Sequence, residues 1–202
     1  MKKGLKKLVN NGIIIYMENH YITTKAQFKN ALITLMEQQD LHTISVVKLA
    51  ECAHISRGTF YLHYKDMNDM ICRLEQEVCD MLKQIVYRNI DNLHDGKYFE
   101  PILELANYIK ENSAFIKVIT SKNGDADFIV KIKKSLARLS DYYAIRAILE
   151  IPDNVVREAY ISFMISGGIG VFEEWIASNF AYSADSMINS LIALLSTNKK
   201  ED

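Results

Sequence analysis

Apolar residues recur along this chain at spacings of three and four, the period of a helix that turns one face to a core. Phe28, Ala31, Leu32 and Leu35 form the first such run. Thr24 and Gln27 precede it with capping-box spacing, which predicts a helix from Thr24 to about Gln39. A short helix is predicted to begin near Ser45, with Val46, Leu49, Ala50 and Ala53 on its inner face, and a third to begin at Ser56 and carry Phe60. Between these two lies only Ala53-His54-Ile55. Asp66 or Asn68 then caps a much longer helix whose seam is Met70, Ile71, Leu74, Val78, Met81, Leu82 and Ile85.

The stretch from Asp91 to Lys97 reads as a polar loop. Ile102, Leu105, Ala106 and Ile109 mark the next helix, Asn112-Ser113 a break, and Ser121 to Asp125 a glycine-containing turn. Phe128, Ile132, Leu136, Leu139 and Tyr143 predict a long helix that stops before Pro152. Two more follow, from Asp153 to about Ser178 and from Ala184 to Thr197. No strand, internal repeat or low-complexity tract is predicted. With 2 Pro and 8 Gly in 202 residues there are few helix breakers, so composition agrees with an all-α fold, one sizeable core or a small domain joined to a larger one.

Charge refines this picture. The net charge of −1 excludes a bulk polycation that coats nucleic acid, but up to Asp66 there are nine Lys/Arg against five Asp/Glu, leaving fifteen against twenty beyond it. The basic end is the one suited to phosphates. Cys72 and Cys79 fall on one predicted helix with Cα atoms roughly 10 Å apart, too far to bridge. With Cys52 they make an odd count, which points to reduced thiols and a cytoplasmic protein. The lysines and apolar stretch near the N-terminus are interrupted by Asn10, Asn11 and Gly12, with no small-residue cleavage site after them. Residues 1–22 are therefore expected to be a flexible basic arm, or sequence upstream of a start at Met17, and no segment is read as membrane-spanning.

No enzyme is expected, since HExxH, GxSxG and CxxC are absent. Ser166-Gly167-Gly168-Ile169-Gly170 resembles a phosphate loop but lies inside a helical pattern with no strand before it. Its glycines fit close helix packing or a kink. No cofactor or metal is expected, because His63 has no second ligand at helical spacing. Tyr108, Phe115, Tyr142, Tyr143, Phe163, Phe172 and Trp175 either line an apolar pocket or form plain core.

The two short helices and their tight turn form a helix-turn-helix pattern, in which the second helix enters a DNA groove. Ser56 can cap that helix and leave its first-turn N–H groups facing a phosphate. Arg57 can reach guanine O6 and N7, Gly58 admits close backbone approach, and Thr59 offers a hydroxyl or a methyl. Tyr61, His63, Tyr64 and Lys65 supply donors and aromatic bodies toward the helix end, although Tyr64 could equally pack against the first helix. Ser45 and Lys48 are candidate phosphate anchors across the groove.

The run Ile44-Ser45-Val46-Val47-Lys48-Leu49-Ala50-Glu51-Cys52-Ala53-His54-Ile55-Ser56-Arg57-Gly58-Thr59-Phe60-Tyr61-Leu62-His63-Tyr64-Lys65-Asp66 closely resembles the DNA-binding signature of the TetR family of transcriptional regulators. The segment from Tyr160 to Asn179 looks like the penultimate helix of members common in Firmicutes. The resemblance implies an N-terminal three-helix DNA-binding domain, residues 23–67, joined by a long helix to a helical ligand-binding and dimerisation domain, residues 68–202. It implies contacts from Tyr61 and His63 to the DNA backbone. It also implies operator DNA as partner, a homodimer formed through the two C-terminal helices, and an unidentified small-molecule effector that releases a repressor. Two positions depart from the pattern: His54 stands where the turn usually has a small residue, and Met67 where a lysine commonly meets a phosphate. The alternative function is a helical protein-interaction module or coregulator without DNA binding of its own.

Overall fold

A computed structural model of the chain describes residues 23–142 and 153–196. The basic arm, Met17, Tyr143, the stop before Pro152 and Thr197 lie outside them. Every regular element among the described residues is helical, and the chain divides into two compact units, with the second beginning at Cys72.

In the first unit, α1 (23–36) is already helical at residue 23, so Thr24 is a buried interior residue and not the cap its spacing suggested. The helix also ends at 36, three residues early, in a turn that leads to a 3₁₀ segment, Leu41–Thr43. Asp40 caps that segment, its carboxylate accepting from the His42 N–H at 2.8 Å. Next come α2 (Val46–Ala53) and α3 (Arg57–His63). The core beneath them is aromatic: Phe28 on α1 meets Phe60 on α3 edge to face at 5.4 Å, with Leu32, Met36 and Leu49 buried beside them. The long helix α4 (Met67–Arg88) is capped by Asp66 rather than Asn68, through a 2.8 Å bond from the Asp69 N–H to Oδ1 of Asp66.

In the second unit, the expected loop at Asp91–Lys97 contains most of a short helix, α5 (Ile90–His94), which ends in a turn where Gly96 takes a φ of 71°. Its polar sequence is explained by exposure, since α5 has no buried residue. It is followed by α6 (Phe99–Glu111), α7 (Ser113–Ile119), α8 (Phe128–Tyr142), α9 (Asn154–Ala177) and α10 (Ala184–Ser196). The turn after α7 needs glycine: a Cβ on Gly124 would stand 2.0 Å from the Ile119 carbonyl oxygen. Ala106, Trp175, Met187, Ile188 and Leu191 join α6, α9 and α10 in one cluster. The Trp175 indole N–H donates to the Tyr182 carbonyl at 2.9 Å, and Phe180 meets the Trp175 ring edge to face at 4.8 Å, which clamps the α9–α10 turn.

An ion triad ties α4 to α8. The Lys131 ammonium donates to Glu75 and to Asp125, both at 2.7 Å. Burial pushes the Asp125 carboxyl up, but the Lys131 ammonium, Glu75 and the Asp127 N–H outweigh it and hold it down at about 2. Burial dominates at Glu75 and raises its pKa despite Lys131.

By length and composition α9 is apolar enough to cross a bilayer, contrary to the reading that no segment approached that length. Most of its surface is not covered by the described residues: Phe163 is 69% exposed, and Val155 and Val156 are exposed too.

Candidate nucleic-acid interface

The turn between α2 and α3 works as the sequence pattern anticipated. His54 sits at φ 54°, ψ 37°, the left-handed geometry in which that residue ends a helix at some steric cost. Its N–H closes α2 on the Ala50 and Glu51 carbonyls. Two residues on, the Ser56 hydroxyl accepts from the Thr59 N–H at 3.1 Å and pairs with the Thr59 hydroxyl at 2.9 Å. Ser45 caps α2 in the same way, accepting from the Lys48 N–H at 3.3 Å. Both caps leave other first-turn N–H groups directed away from the helix body, where an anion can meet them.

The faces of α3 divide cleanly. Phe60 is 0% exposed and holds the helix down, while Arg57, Gly58, Tyr61 and Leu62 all lie on the exposed side. A Cβ added to Gly58 would meet nothing nearer than the Ser56 hydroxyl at 3.6 Å. The fold itself therefore leaves this position open, and glycine there gives an outside body close access to the backbone. Lys65 is exposed just past the helix, its N–H held by the Asp69 carboxylate at 2.9 Å. Ser45 and Lys48 are exposed at the start of α2, and the Lys48 ammonium bonds to the Gln39 side chain at 3.1 Å.

Two of the expected DNA-facing residues are core residues instead. Tyr64 is 4% exposed, packed on Phe60 at 5.4 Å and Phe28 at 6.5 Å, so of its two open readings the packing one describes it. His63 is 8% exposed with Phe28 and Tyr64 beside it, which leaves at most a ring edge at the surface. The correction has a simple cause: a seven-residue helix has room for one exposed stripe, and Phe60, His63 and Tyr64 lie on the other. Leu62, which the sequence pattern did not single out, is 82% exposed and stands one turn along α3 from Gly58. An apolar residue off the Phe60–Tyr64 seam was the signal that marked it.

A capped helix that is anchored by one aromatic and presents a cation, a glycine and a phenol outward, behind a tight left-handed turn, is the reading head of a helix-turn-helix DNA-binding protein. Residues 96–197 match a family described as transcriptional regulator C-terminal region, of TetR type, and this match covers just over half of the chain. The chain belongs to the TetR family of transcriptional regulators, which are DNA-binding proteins and not enzymes. It is 26% identical over 103 residues to the HTH-type transcriptional regulator YxbF of Bacillus subtilis; the match spans 50% of this chain and 27% of that protein. Among solved structures it resembles the regulator FadR of Bacillus subtilis in complex with stearoyl-CoA, at 18% identity and TM-score 0.59, over 87% of this chain and 99% of that one. It also resembles a TetR regulator from Streptococcus agalactiae, at 18% identity and TM-score 0.57, over 90% and 98%. At these identities the two structures bear on the fold alone.

Proposed function

We propose that the protein is a homodimeric regulator that reads an operator with α3 of each copy and leaves it when a small molecule binds the second unit. The observation that carries this reading is the outward face of α3, where Arg57, Gly58, Tyr61 and Leu62 are exposed while Phe60 is fully buried. Arg57 would read base edges, Thr59 and Leu62 would add methyl contacts, and Ser45, Lys48, Ser56, Tyr61 and Lys65 would meet phosphates.

Dimerisation through α9 and α10 is supported by the uncovered apolar surface of α9. A Cβ on Gly167, Gly168 or Gly170 would meet nothing within 4 Å among the described residues, which leaves room for a partner helix to approach this stretch closely. A partner copy would cover this surface of α9, and a protein that reads DNA in this way would be cytoplasmic. All three cysteines are free, in keeping with that compartment. An effector that binds better to a conformation whose recognition helices miss the operator spacing would release DNA by population shift.

The test is binding of the purified protein to a fragment from its own promoter and to an equal-length random fragment, at two salt concentrations. A preference for the promoter that persists at the higher salt is expected, with both affinities falling steeply with salt as phosphate contacts release counterions. Arg57→Ala should weaken promoter binding by about 1–3 kcal/mol with unchanged folding. Undiminished binding by that variant would remove Arg57 from the interface, and capture of a protein with no DNA preference would favour the interaction-module alternative.

A further inference from the structure

The helical periods of α4 and α8 place two stripes across a groove of about 720 Å³ within the second unit. Its volume lies in the range of small-molecule sites. Four cations line it, Lys83, Lys131, Lys134 and Arg138, against one carboxylate, Glu75. This concentration stands out in the part of the chain that carries the acidic excess. Two of the four are already engaged, Lys83 by Asp80 at 2.7 Å and Lys131 by Glu75 and Asp125. Lys134 and Arg138, one turn apart on α8 and both exposed, have no ion-pair partner among the described residues.

Glu75 lines the groove at its floor, 3% exposed, and is satisfied within the protein, with Oε2 on Lys131 and its carboxyl hydrogen-bonded to Asp125. The groove's one acid is therefore neutralised by its own partners, and the charge that the groove offers to a ligand is positive.

We propose that the α4–α8 groove takes a small organic anion, a carboxylate or phosphate monoester, with its charge on Lys134 and Arg138. This deepens, and rests on, the reading of the protein as an effector-gated regulator. Leu139 is the one aliphatic side chain lining the groove. Such a ligand would bridge α4, which leads out of the DNA-reading unit, to α8, and would compete for the charges that now tie Glu75 to Lys131.

The experiment is calorimetric titration of the full-length protein, at constant ionic strength, with glycerate, glycerol 3-phosphate and inorganic phosphate, and with glycerol as the uncharged control. Promoter binding is followed in parallel. Binding of glycerate or glycerol 3-phosphate, absent with glycerol, weaker for inorganic phosphate, and reduced tenfold or more in Lys134→Gln/Arg138→Gln, is the expected result. Both substituted side chains are exposed, so the double variant should fold, and an unchanged melting temperature would verify this. Failure of all three anions to bind at up to about 10 mM, where even contacts of a few kcal/mol register, overturns the proposal. So does binding that the double variant retains, or equal binding of glycerol. If the anions bind through Lys134 and Arg138 but leave promoter binding unaltered, the site stands and the effector-gated reading falls.

Discussion

Ser56 has two separable roles, a helix cap and a neighbour of phosphate, and two substitutions pull them apart. Ser56→Ala removes the oxygen that accepts from the Thr59 N–H at 3.1 Å and the hydroxyl pair with Thr59 at 2.9 Å. Losing such a cap costs about 1 kcal/mol, a substantial share of what holds a helix of only seven residues. Ser56→Asp keeps the cap, because a carboxylate accepts the same N–H and suits the positive end of the helix dipole. It also places a negative charge where the phosphate is proposed to sit. Two like charges about 4 Å apart in water repel by about 1 kcal/mol, and more once the interface sheds water. Thermal unfolding should therefore show Ser56→Ala melting lower by about 2–4 °C if the protein unfolds as one unit, and Ser56→Asp at or above the parent. Fluorescence anisotropy with the promoter fragment should reverse the order of damage, with Ser56→Asp weaker by about tenfold or more and Ser56→Ala affected less. Parent-like DNA affinity in Ser56→Asp would show that the α3 N-terminus does not face the backbone. Equal destabilisation by both variants would show that the cap is not what Ser56 supplies.

Further expectations follow from the second unit. Gly124→Ala should destabilise by several kcal/mol or abolish soluble expression, because its Cβ would lie 2.0 Å from the Ile119 backbone oxygen and neither backbone can yield cheaply; denaturant unfolding with an unchanged midpoint would contradict the turn geometry. The Asp125 carboxyl, held down at about 2 from an ordinary 3.8, contributes stability that is fully present above about pH 4 and is lost as pH falls toward 2, on the order of 2 kcal/mol. Glu75 is shifted upward and works in the opposite direction, since its protonation on acidification favours the fold. Asp125→Asn should accordingly flatten the stability curve between pH 4 and pH 2, and parallel curves for parent and variant would dissolve the triad argument. Phe163→Arg, at a position 69% exposed in the single chain, should leave the helical content intact and shift sedimentation toward monomer; an undisturbed dimer would move the interface off this face of α9.

Local spacing in the sequence was enough to place most helices, the helix-turn-helix and the cap at Ser56, and it narrowed the cap of α4 to Asp66 or Asn68. These depend on residues within one or two turns of each other, so neighbouring side chains and backbone decide them. Thr24 shows the limit of that reasoning: a capping spacing is necessary for a cap but does not stop a helix from starting earlier, and the threonine is buried instead. The polar run at 91–97 shows another, since an exposed short helix needs no apolar stripe.

Only the tertiary structure decided what each face meets. The sequence left Tyr64 open between DNA and packing against the first helix, and the position of Phe28 on α1 buried it while Tyr61 stayed out. The aromatics grouped as pocket or core separate in the same way, with Phe115 and Trp175 buried and Phe163 turned to the outside. The meeting of Glu75 with Lys131 across 56 residues has no mark in the sequence at all. A charge pattern records that a side chain prefers water or a partner, but which partner lies opposite depends on how two distant helices pack, and that is a property of the folded chain.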